Sequence, residues 1–193
     1  MLSDDFIEFV KKLFPNIDPY VEKQTRESLK QFASLNNTSV PMLTTFSENE
    51  INQGDILTNI PFYRIGDDGD YETVATSGIV ISNSCDIEND DNILIAPMLD
   101  LGQMDPKVIE GIKKNIIYGK IYFPENNKYV GDFSLIQTFP KKLILDAFYE
   151  NKIKKEYSLN LIGFYFLICK LTIHFLRPEN EGVQLERKSK TLC

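Results

Sequence analysis

Between residues 65 and 106 the chain has no lysine or arginine, yet ten aspartates and glutamates fall there. Nucleic-acid binding draws mainly on Lys and Arg contacts to phosphate, so this stretch is disfavoured as a nucleic-acid face, while the basic C-terminal half leaves contact with RNA open. Cysteine is scarce, with only Cys85, Cys169 and Cys193. Three widely spaced thiols make no disulfide framework and suit a reducing cytosol. The start of the chain, Met1 to Asp5, lacks the basic opening and apolar run of a secretion signal. A long uninterrupted hydrophobic run is missing too. The most apolar stretch, residues 159–176, contains Asn160, Lys170 and His174 and leads straight into Arg177 and Pro178. It is expected as a buried helix and not as a membrane span. No internal repeat is present, which sets solenoid architectures aside. These absences together predict a cytoplasmic protein that does not associate with membranes and needs no cofactor.

What remains is an ordinary globular composition, 42% hydrophobic and 25% charged over 193 residues. A chain of this size buries about 70% of its unfolded surface, so folding requires no staple. The net charge of −7 is unevenly spread. Residues 1–64 carry 6 basic and 9 acidic side chains, residues 65–106 none and 10, and residues 107–193 carry 15 and 9. Such asymmetry bears on partners and association, not on fold.

Phe6, Phe9, Val10, Leu13 and Phe14 recur at helical spacing, with Ser3 or Asp4 as cap and Pro15 as terminator. A second helix is expected from Pro19 to about Leu35. Strands are expected from Gly54 to Phe62, over residues 77–83 and over residues 92–97, with an acidic turn at Asp67, Asp68, Gly69 and Asp70. Further along, a helix is predicted over residues 104–117, strands at 120–123 and 131–139, a short basic helix at 141–149 and a long apolar helix from Ser158 to Pro178. A polar tail, expected to be loose, follows.

Gly54-Asp55-Ile56, Asn59-Ile60-Pro61-Phe62, Gly78-Ile79-Val80-Ile81-Ser82-Asn83 and Ile93-Leu94-Ile95-Ala96-Pro97 resemble, in order and spacing, the first half of the PemK/MazF-like toxins. The resemblance covers about residues 54–97. It implies an α+β fold with a PemK/MazF-like, SH3-like β-barrel, carrying added N-terminal helices and a buried C-terminal helix. The implied division is an N-terminal helical extension at 1–45, a barrel core with an inserted helix at 46–140, helices packed on the barrel at 141–178 and a flexible tail at 179–193. The family's endoribonuclease uses an Arg just before the second strand and a hydroxyl residue in the loop beyond, since a phosphodiester transition state needs a fixed positive charge and donors. Here the Arg-Pro position reads Ser77-Gly78, and the loop reads Cys85-Asp86-Ile87-Glu88-Asn89-Asp90-Asp91. Neither functional residue carries over.

Two other constellations carry chemistry. Cys85 follows a strand end and is a candidate nucleophile, with Asp86 beside it and His174 as its base. The plainer alternative is a small hydrophobic cysteine, a carboxylate that holds its loop and a core histidine. Asp67, Asp68 and Asp70, together with Glu88, Asp90 and Asp91, form candidate partner-binding surface for a basic protein. Their spacing matches no calcium loop, and no metal is assigned. Three functions stay open: a toxin-family protein of a bacterial toxin–antitoxin or defence system, a non-catalytic adaptor docking a basic protein, and a cysteine hydrolase.

Overall fold

The computed structural model describes residues 41–45, 49–176, 182–183 and 185–187. The helical pair expected before residue 41 lies outside the described residues. Of the tail, residues 182–183 and 185–187 are described, and their backbone is helical.

The fold is α+β. Strands β1 (Leu43–Thr44), β2 (Ile56–Ile65), β3 (Tyr71–Val80), β4 (Asn92–Asp100), β5 (Lys120–Tyr122), β6 (Tyr129–Asp132), β7 (Gln137–Pro140) and β8 (Lys155–Leu159) form one antiparallel sheet. Helix α1 (Ser84–Asn89) joins β3 to β4, and α2 (Pro106–Lys113) precedes β5. Helix α3 (Lys141–Tyr149) follows β7 directly, and α4 (Leu161–Leu176) follows β8. The strand order is β1-β8-β2-β3-β4-β6-β5, with β7 also on β4. Three of the strands expected from the sequence, β2, β3 and β4, are antiparallel neighbours, and β3 begins six residues earlier than the expected residues 77–83.

The expected closed barrel is not formed. The strand order has two free ends, β1 and β5. The nearest approach to closure lies between β7 and β2, and a side chain makes it. The Gln137 amide accepts from Tyr63 N at 2.9 Å and donates to Tyr63 O at 2.5 Å. Phe62 and Phe139 meet edge to face beside it, with ring centroids 5.5 Å apart. The stretch 131–139 is correspondingly not one strand, because a 3-10 turn at Phe133–Leu135 separates β6 from β7.

Both faces of the sheet are covered. Ile56, Ile79, Ala96 and Met98 pack with Phe166 and Leu167 of α4 on one side. Leu57, Ile60, Phe62, Ile93 and Ile95 pack with Ile87 of α1 and Ile144 of α3 on the other. A bulge in β2 between Leu57 and Ile60 lets both point the same way. The extra residue, Asn59, sits at φ 57°, a conformation Asn adopts more readily than most side chains. A single core face shared by Ile56, Ile79, Ile81, Ile93 and Ile95, as alternation alone suggests, is therefore corrected: the first three face one cluster and the last two the other. Helix α4 is buried or half-buried from Ile162 to His174, with Leu161 and Phe175 exposed at its two ends.

Strand β8, unforeseen in the sequence, is inserted between β1 and β2 and is held there by charge. Asp55, 2% exposed, accepts from Asn52 N at 2.8 Å and Ser158 Oγ at 2.6 Å, and pairs with Lys155 Nζ at 2.9 Å. Lys155 Nζ also donates to Glu50 O at 2.5 Å. Removing one member of such a buried pair strands the other charge. Asp55→Ala should therefore destabilise the protein by about 3–5 kcal/mol in chemical denaturation, and the double change Asp55→Val with Lys155→Met should recover most of that loss. A single variant as stable as the parent would show the pair to be dispensable.

Candidate functional site

The segment after β3 was the expected working loop, and its polar side chains are occupied in holding the chain. Ser82 Oγ accepts from Leu94 N at 2.9 Å, tying the strand end back onto β4. Asn83 caps α1 by accepting from Cys85 N at 3.0 Å, and Ser84 Oγ accepts from Gln53 N at 3.1 Å. The local anchor is thus Asn83 and its two serine neighbours, where Asp86 had been the expected one. Cys85 and Asp86 are both exposed on α1.

His174 lies elsewhere. It sits on α4 beside Phe133 and Phe175, with ring centroids 5.9 and 4.8 Å away, and its Nδ1 is buried without a hydrogen-bond partner. Helix α1 packs through Ile87 into one core cluster and α4 through Phe166 into the other, on opposite faces of the sheet. The fold does not bring Cys85 and His174 into a nucleophile–base pair. Cys169, a neighbour of Lys170 on α4, is buried, and burial pushes its thiol up to about 12, so it carries no thiolate near neutral pH.

The position where the family has Arg-Pro is filled for packing. A Cβ on Gly78 would stand 2.6 Å from Ile95 Cγ2 and 2.9 Å from Phe62 Cζ, so only glycine fits there. Arg64, near the β2–β3 turn, pairs with Glu72 at 2.5 Å.

The acidic residues fall into two separate groups. Asp67, Asp68 and Asp70 lie in the β2–β3 turn, and Asp86, Glu88, Asp90 and Asp91 lie on and just after α1. The ten residues of β3 stand between them, about 30 Å of extended chain. Among the described residues no three His, Cys, Asp or Glu side chains gather as a metal-ligand group. At the α1 group, Lys141 Nζ donates to Glu88 O at 3.1 Å, a cation at a helix C-terminus that lacks a basic residue of its own. At the turn group the neighbouring cation, Arg64, is paired with Glu72.

The turn crowns an arm. Beyond Phe62 on β2 and before Thr76 on β3 the hairpin is largely exposed on both faces. Its rungs pair Ile65 with Tyr71, Arg64 with Glu72, Tyr63 with Thr73 and Phe62 with Val74. One face therefore shows Tyr63, Ile65 and Tyr71, which are 54%, 68% and 82% exposed. The other carries the Arg64–Glu72 pair. An apolar row thus stands beside an acidic tip on this arm. Sequence reasoning found the acids but not the row, whose residues look like ordinary strand formers.

No model of a protein family matches this chain, and no curated protein matches it. No helix among the described residues is long and apolar enough to cross a membrane.

Lys170 escaped sequence reasoning as well. It is buried on α4, with Nζ donating to Ile117 O at 2.9 Å and no salt bridge to a carboxylate, and burial pushes its amine down to about 8. The unfolded chain keeps the proton until about pH 10.4, so the fold is penalised in full below about 8 and gains stability as pH rises from there. Lys170→Met should raise the melting temperature at pH 7, by no more than the equivalent of roughly 3 kcal/mol, and the gain should fade towards pH 10. An equal gain at both values would mean that the lysine charge plays no part. In the α1 segment, Asn83→Ala should cost about 1 kcal/mol through the lost cap, while Cys85→Ser should leave thermal stability within about 0.5 kcal/mol.

Proposed function

We propose that the protein is a non-catalytic docking module that holds a basic protein partner on the β2–β3 arm. The observation that carries this reading is the arm itself: Tyr63, Ile65 and Tyr71 exposed in a row beside Asp67, Asp68 and Asp70, with no base closer than the already paired Arg64. Exposed apolar patches rimmed by charge mark interaction sites. The acids steer a cationic partner and the aromatic row supplies its contact area.

A PemK/MazF-like ancestry, within a bacterial toxin–antitoxin or defence system, is the second reading. It is supported by the adjacency of β2, β3 and β4 in the order that the family shows. Ribonuclease activity is not part of the proposal, because Arg64 on the arm is paired with Glu72 and Lys141, beside the end of α1, is bonded to Glu88 O.

The test compares the parent with an Asp67→Asn, Asp68→Asn, Asp70→Asn variant of unchanged melting temperature. Each is used to capture proteins from the native host, and the captured partner is then purified and titrated at low and high salt. The expected result is a partner with a basic surface whose affinity falls in the variant and falls with salt. Equal affinity in the variant, or cleavage of single-stranded RNA by the purified parent, would overturn the docking reading.

A further inference from the structure

The two edges of the arm are treated differently. The backbone groups of Tyr63 point away from β3, since its N–H and C=O are the ones that meet the Gln137 amide. The pair of Tyr63 and Thr73 is therefore a rung whose hydrogen-bonding groups face outward on both strands. The turn bond from Gly66 N to Asp70 O, at 2.8 Å, sets the same alternation. It follows that Tyr71, Thr73 and Ala75 each present an N–H and a C=O on the outer edge of β3. Strand β4 covers that edge only at Gly78, Ile79 and Val80. Among the described residues neither a strand nor a side chain reaches the three rungs beyond. On the β2 side the edge is capped at Tyr63 and carries Pro61; on the β3 side it is open at all three rungs.

Exposed edges are normally blunted by Lys, Pro or a bulge. The run Tyr71-Glu72-Thr73-Val74-Ala75-Thr76 has none of these, and its register with β2 is regular. Strand formers with free backbone groups in an extended row are the template that recognises another extended chain. We propose that the outer edge of β3 at Tyr71, Thr73 and Ala75 takes an added strand from an extended, lysine- or arginine-bearing segment of a protein partner. The inference rests on the docking reading and names its mode. Alternate side chains of the added strand fall on opposite faces. Those on the face of Tyr71 and Ala75 are apolar, and those on the face of Glu72, next to Asp70, are cationic. The absence of any base from residue 65 to residue 106 supplies the charge complementarity.

The experiment uses the full chain and a short capped peptide alternating valine and lysine. A second peptide has the same sequence, methylated on every other backbone nitrogen so that charge and side chains persist while the pairing N–H groups are lost. The plain peptide should slow amide exchange at Tyr71, Thr73 and Ala75 and leave Tyr63 unchanged. The methylated peptide should bind at least about tenfold more weakly, the equivalent of one or two backbone hydrogen bonds. Thr73→Pro, which removes an outward N–H and no hydrogen bond between β2 and β3, should weaken the plain peptide to a similar extent. If it does not fold, the methylated peptide decides alone. Equal binding of both peptides, with affinity still dependent on Asp67, Asp68 and Asp70, would overturn strand addition and leave the docking reading standing. Binding by neither peptide would overturn strand addition, and equal partner affinity in the Asp variant would remove the docking reading separately. A parent that sediments as a dimer and a Thr73→Pro variant that sediments as a monomer would mean that a second copy fills the edge, and would overturn the proposal.

Discussion

The pairing of Asp55 with Lys155 governs how this chain is assembled. Two charges taken out of water are tolerated only because the remaining lone pairs and protons are used: Ser158, the Asn52 amide and the Glu50 carbonyl complete the set. The bond links residues one hundred positions apart and draws β8 against β2. With β8 in place, β1 pairs through Leu43 with Leu159, and α4 leaves the sheet already directed across one face. Gly54 belongs to the same junction. It sits at φ 88° with its Cα so close to Leu159 that a Cβ would stand 2.6 Å from that side chain. The Gly-Asp pair at the head of β2, part of the likeness to a toxin fold, thus has a local physical cause in this protein.

Much of the sheet was legible in the sequence because its strands are dense in Ile, Leu and Val and are set off by turns. β2 and β4 were expected close to where they occur, β3 was expected over residues 77–83 but runs from Tyr71 to Val80, and α3 spans the basic helix that was expected after Pro140. β8 was not legible. Its five residues include Lys155 and Glu156, and the partner that makes a buried strand of them lies far away in the chain. The two-sided core was hidden for a related reason: alternation shows that a strand has two faces, but not that both are covered. The seam between β7 and β2 depends on one side-chain amide, for which no sequence pattern exists.

The candidate site divides in the same manner. Charge is additive along a sequence, so the acidic middle of the chain was visible at once. Its partition into a turn group and an α1 group was not, since that depends on β3 running straight between them. The polar run Ser82-Asn83-Ser84 looked like presented chemistry, but each side chain is spent on a backbone N–H. Exposure of the Tyr63, Ile65 and Tyr71 row follows from how far the hairpin extends beyond the body, a property of the assembled sheet and not of any one residue.

The Gln137 bridge gives the molecule a chemical clock. A carboxamide both donates and accepts, which is why one side chain can satisfy the N–H and the C=O of Tyr63 together. Slow hydrolysis to a glutamate keeps the shape and removes the donor. A carboxylate would then stand against a carbonyl oxygen, two acceptors face to face, and the seam would be held from one side alone. An aged molecule would keep every strand of its sheet and lose only the hasp between β7 and the base of the arm.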